Sequence, residues 1–175
     1  IDGNYYHIDA TFDDPTPDRY GFVSHKYFLL SDSAIKTSSD ISVHYGFKTT
    51  EISPDLFYVS KTTYSLAIGS CVARVIPTYI YSNEQIVQMR SELESKTNEI
   101  LAKIQPNMTD FQKAAIIHDE IVLNCEYSNS PDAQYTRTSV YDCIVNGYAN
   151  CQGYASSMSY LLEKVHINSE IVESF

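Results

Sequence analysis

The sequence predicts an α+β domain: runs rich in tyrosine, valine and isoleucine read as strands before residue 82, and capped amphipathic segments read as helices after it. With 175 residues and 43% apolar content, the chain is long enough to bury one sizeable core. The candidate helix at the end of this series carries a cysteine in its first turn, and it is expected to pack on an antiparallel sheet.

Residues 3 to 9 follow the turn-like pair Asp2-Gly3 and read as a short strand that runs into the acidic, proline-bearing loop Phe12 to Pro17. Tyr27 to Leu30 is a second apolar run, and residues 33 to 54 are linker-like, with serines, threonines and lysines. Between Leu56 and Tyr81 the β-prone residues return, interrupted by Gly69 and Pro77, which gives two or three strands. Ser82 with Gln85 makes a capping box, and Ile86, Met89, Leu93, Ile100 and Ile104 recur at helical spacing up to Pro106. A second box, Thr109 with Gln112, opens a helix whose apolar face holds Ala114, Ala115, Ile117, Ile121 and Cys125. Ser139 to Asn146 reads as a short helix stopped by Gly147. Asn150 suits an N-cap, and Ala155, Met158, Leu161, Leu162 and Val165 give the helix after it a buried stripe. Residues 169 to 175 read as a final strand.

The net charge of −10, with no basic run to offset it, repels phosphate backbones and anionic headgroups and argues against a nucleic-acid or membrane-surface partner. No stretch has the apolar length of a membrane span, so no membrane insertion is expected. Cys71, Cys125, Cys143 and Cys151 lack metal-ligand spacing, and neither a metal nor an organic cofactor is implied. Asn107 to Thr109 fits a glycosylation sequon, but it coincides with a helix cap.

Cys151 stands apart from the other thiols. A helix start presents unpaired backbone N–H groups and the positive end of the helix dipole, a setting that favours the negative charge a sulfur nucleophile carries. Gly147 and Gly153 flank it and allow a close approach of backbone or substrate.

The stretch Val-Asn-Gly-Tyr-Ala-Asn-Cys-Gln-Gly-Tyr-Ala from Val145 to Ala155, followed by Tyr160-Leu161-Leu162, closely resembles the nucleophile segment of the bacterial transglutaminase-like superfamily. Lys113 to Val122, with Cys125-Glu126-Tyr127, is similar to the helix that precedes it in that family. Ile1 to Pro15 and Tyr27 to Asp32 resemble the family's C-terminal strand and tail. The resemblance implies a papain-like core with a cysteine, histidine and aspartate triad, in which Cys151 is the nucleophile and Asp9 the aspartate.

It also implies a single domain in permuted order: residues 1–32 as the C-terminal core block, 33–54 linker-like, 55–104 accessory strands and helix, and 105–175 as the N-terminal core block with Cys151. Joining Phe175 to Ile1 almost restores the family order. A circular permutation, a segment straddling two consecutive units, or the loss of an intervening stretch together with the block order would each give this arrangement, and the first and third are favoured because the blocks sum to one unit. The family histidine would precede Ile1, so the triad histidine is not found in the chain. His118 fits a core or capping position, His7 lies two residues from Asp9, and His25, His44 and His166 fall in loop-like or helix-end contexts.

The expected function is thiol-dependent acyl transfer or hydrolysis on protein or peptide amides, of peptidase, deamidase or transglutaminase type. The alternative is a catalytically inactive transglutaminase-like module for binding or surface display. The resemblance favours an extracellular or cell-surface bacterial setting.

Overall fold

The computed structural model describes residues 6, 8–14, 21, 23–26, 28–29, 48–49, 57–67, 72–128 and 137–173. Its centre is helical. Helix α1 is the single turn Ala10–Asp13, α2 spans Asn83–Leu101, α3 Asp110–Asn124 and α4 Cys151–Lys164. The strands are β1 (Lys48–Thr49), β2 (Val59–Ala67), β3 (Val72–Tyr79), β4 (Glu126–Tyr127), β5 (Tyr148–Ala149) and β6 (Val172–Glu173).

Both capping boxes form as their sequences dictate. The Ser82 hydroxyl accepts from Gln85 N, and the Gln85 side chain returns a bond to Ser82 N, so two donors that α2 would otherwise strand are satisfied. Thr109 and Gln112 repeat this at the start of α3. Along α3 the buried residues are Ala114, Ile117, His118, Ile121 and Val122, the spacing of one helix face. Helix α4 lies deeper: Gly153, Tyr154, Ser156, Ser157, Met158, Tyr160, Leu161 and Leu162 are all buried, so it forms the axis of the core. α1 and α3 both pack against it. Leu93 of α2 joins the same core.

The segment before Gly147 winds as a π-helical turn, Asp142–Asn146. Ser139 organises its entry, with its hydroxyl 2.7 Å from Asp142 Oδ2 and accepting from Asp142 N at 3.1 Å. Gly147 ends it at φ 77°, a left-handed backbone that a side chain disfavours. The Tyr141 hydroxyl, just ahead of the turn, donates to Glu92 on α2.

Three two-stranded sheets are present among the described residues. β2 and β3 pair antiparallel, as do β1 and β6, whereas β4 and β5 pair parallel. Pro77 sits inside β3, opposite Thr62. A two-stranded ribbon always has an open edge toward which a residue without an N–H can be turned.

The expectation of an antiparallel sheet beneath the cysteine helix is corrected here. The strand in contact with α4 is β5 of the parallel pair, because the chain returns from the π-helical turn alongside the exit of α3. The end of the strand expected over residues 3–9 is also corrected: Ile8 and Asp9 are not in a strand, residues 3–5 and 7 lie outside the described residues, and Phe12 and Asp13 of the expected acidic loop belong to α1. The linker-like stretch lies outside the described residues except for Lys48–Thr49, which form β1. The final strand is confined to Val172–Glu173, with residues 174–175 outside the described set.

Candidate active site

Cys151 is the first residue of α4 and is exposed. The turn that presents it is fixed by its neighbours. Asn150 is the N-cap, in extended conformation, and its side-chain oxygen accepts from Gly153 N at 3.2 Å. The backbone N–H of Asn150 donates to the Arg137 carbonyl at 2.8 Å, which ties the cap to the preceding loop. Gly153 is required by packing: a Cβ there would lie 2.6 Å from Ala149 Cβ and 2.9 Å from the Arg137 carbonyl oxygen. The close approach anticipated from the glycines is, at Gly153, to the Ala149 methyl and the Arg137 backbone carbonyl. At Gly147 a Cβ would come within 3.2 Å of the Asn124 carbonyl oxygen.

One turn further along, Tyr154 anchors the helix. Its buried hydroxyl lies 2.6 Å from the Cys125 carbonyl oxygen and 2.7 Å from Asp14 Oδ2, joining α4 to the end of α3 and to the residue after α1. Burial, followed by the electrostatic opposition of the adjacent Cys125 to a second negative charge, pushes the Tyr154 phenol up from its ordinary value. It is a neutral structural group.

The thiols fall into two kinds. Cys125 and Cys143 are buried, and contact with Cys143 followed by burial pushes the Cys125 thiol far above its ordinary value. Such a sulfur stays protonated and inert. Cys151 alone among the described cysteines reaches solvent, and it does so at a helix start. Cys71 lies outside the described residues.

Asp9 caps α1: its Oδ1 accepts from Thr11 N at 3.1 Å. α1 packs on α4, so Asp9 and Cys151 belong to elements in contact, but no hydrogen bond joins the two side chains among the described residues. The acidic residues that tie this segment to the helices are Asp13 and Asp14. Asp13 Oδ2 lies 3.1 Å from His118 Nε2, with both side chains fully buried. Local sequence could not assign these partners, because they lie 105 and 140 residues away. His118 has the core placement expected of it. His25 is exposed and meets Asp119, His166 follows the end of α4, and His7 and His44 lie outside the described residues.

No helix among the described residues is long and apolar enough to cross a membrane. No curated protein matches the chain. A family model described as Transglutaminase-like superfamily matches residues 98–175, from the last turns of α2 through β6, and this match includes Cys151 but not Asp9. Over residues 98–175 the chain is thus similar to the transglutaminase-like superfamily.

Proposed function

We propose that the protein performs thiol-dependent acyl transfer on protein or peptide amides, with Cys151 as nucleophile on a papain-like core. The observation that carries this reading is the contrast between thiols: Cys125 and Cys143 are sealed in the core, whereas Cys151 is exposed on the first turn of a rigidly anchored helix. In the proposed reaction the Cys151 sulfur attacks the amide carbonyl carbon, forming a C–S bond. The first-turn backbone N–H groups of α4 stabilise the oxyanion. The C–N bond then breaks, and an imidazolium protonates the departing amine. Water resolves the thioester to a carboxylic acid, as in a peptidase or deamidase, whereas an amine acceptor gives a new amide.

Asp9 is assigned the role of orienting that imidazole, as the resemblance of Ile1 to Pro15 to the family's aspartate strand suggests. Among the described histidines, His118 is held in the core between carboxylates and His25 is paired with Asp119, so neither is assigned as that imidazole. On this reading, residues 1–32 and 105–175 are the two core blocks of one domain in permuted order, and the docking of α1 on α3 and α4 supports it.

The test is turnover of glutamine-bearing peptides, with ammonia release and hydroxylamine incorporation read in parallel. The protein is expected to turn over in one of the two, and Cys151→Ala to abolish it while leaving the unfolding midpoint unchanged. Turnover that survives Cys151→Ala would overturn the proposal. Stoichiometric peptide binding with no turnover would identify the chain as a binding module of the same fold.

A further inference from the structure

His118 occupies the junction of α1, α3 and residues 23–29, and both of its ring nitrogens face carboxylates. Nε2 lies 3.1 Å from Asp13 Oδ2, and Nδ1 lies 3.1 Å from Asp119 Oδ1. That same Asp119 oxygen is 2.6 Å from His25 Nε2. His25, His118 and Asp119 therefore bring three ligand atoms within 4.8 Å of one another.

A neutral imidazole has one N–H, and a carboxylate only accepts. With the fully buried Asp13 taking an N–H from Nε2, a neutral ring turns its Nδ1 lone pair toward an Asp119 oxygen, and the place between those two atoms is one that a second proton or a metal ion fills. A buried carboxylate on the far nitrogen of a histidine is also how metal-ligating imidazoles are held in their tautomer.

The geometry points to a site for one divalent transition-metal ion of the zinc or cobalt class, ligated by His118 Nδ1, His25 Nε2 and Asp119 Oδ1, with Asp13 fixing His118. The donor set decides the class, because two imidazoles and one carboxylate suit zinc-like ions, whereas calcium and magnesium take oxygen ligands. The 3.1 Å between His118 Nδ1 and Asp119 Oδ1 is close to the spacing of about 3.3 Å between tetrahedral ligands on bonds of about 2.0–2.1 Å. His25 Nε2 has to withdraw from Asp119 and close on His118 Nδ1, and its exposed ring has room to move. The Phe28 ring packs on both imidazoles, 4.8 Å from His118 and 5.7 Å from His25, and limits the rotations open to them. With the side chains of His25 and Asp119 48% and 37% exposed, the outer face is open for water to complete the coordination. The cysteines gave no hint of this site because none of them belongs to it.

The test is titration of the EDTA-treated, dialysed protein with Co2+, read by visible absorption, and with Zn2+, read by calorimetry. One equivalent of Co2+ is expected to give the bands of nitrogen and oxygen ligation without a thiolate charge-transfer band, and Zn2+ to displace it. Cys151→Ser should keep the site, whereas His25→Ala, at an exposed position, and Asp119→Asn, at a half-buried one, should each lose it. Absence of stoichiometric uptake, uptake unaffected by both variants, or uptake lost in Cys151→Ser would overturn the assignment and leave His118 as an ion-paired core residue.

Discussion

Replacing Asp13 by alanine removes the partner of a histidine that has no solvent to fall back on. Both side chains are fully buried at 3.1 Å, so the variant strands the His118 Nε2 proton in the core. Removing one member of such a pair costs about 3–5 kcal/mol, and the lower half of that range applies here because the ring can place its N–H on Nδ1 instead, 3.1 Å from Asp119 Oδ1. For a chain of this size each kcal/mol moves the midpoint by about 2–4 °C, so a drop of roughly 6–16 °C is expected by circular dichroism. His118→Ala should cost a similar amount. The double variant should fall short of the sum by about 0.5–3 kcal/mol, the coupling typical of residues in contact. Urea titration of all four proteins measures that coupling. Strictly additive losses, or an Asp13→Ala loss below about 1 kcal/mol, would mean that α1 is not seated on α3 by this pair.

Gly153→Ala should destabilise by about 1–3 kcal/mol through overpacking against Ala149 and the Arg137 carbonyl, and calorimetry of the variant checks it. Thr109→Ala deletes the first half of a formed capping box and should cost about 1 kcal/mol in urea unfolding. Stability should also fall in alkali. Cys125 and Tyr154 have folded pKa values raised above their ordinary 9.0 and 10.0, so the unfolded chain loses these protons first and gains from each pH step above about 9. Urea midpoints measured from pH 7 to pH 10.5 should decline most steeply above pH 9, and Tyr154→Phe should make the decline shallower.

The helices were legible because their signals are local. Ser82 with Gln85, Thr109 with Gln112, Asn150 and Gly147 each act within four residues of themselves, and each does in the structure what its type and spacing imply. Cys151 was legible for the same reason, as a thiol placed one residue after a cap. The strand beside it was not, since β4 and β5 are two residues each and pair parallel only because the π-helical turn returns the chain beside α3. A π-helical turn has no composition that separates it from an ordinary helical one. Asp13 and Asp14 read as loop acids because nothing near them names His118 or Tyr154 as partners; their burial is decided across the fold. Asp9 shows the converse, since the residue singled out by resemblance caps α1 in the structure.

Alkylation of the folded protein by iodoacetamide near neutral pH, with each labelled cysteine located by peptide mass mapping, tests the central claim most directly. Cys151 should be modified faster than in the urea-denatured chain, while Cys125 and Cys143 stay protected until unfolding. A Cys151 that reacts no faster folded than denatured would contradict its role as the nucleophile.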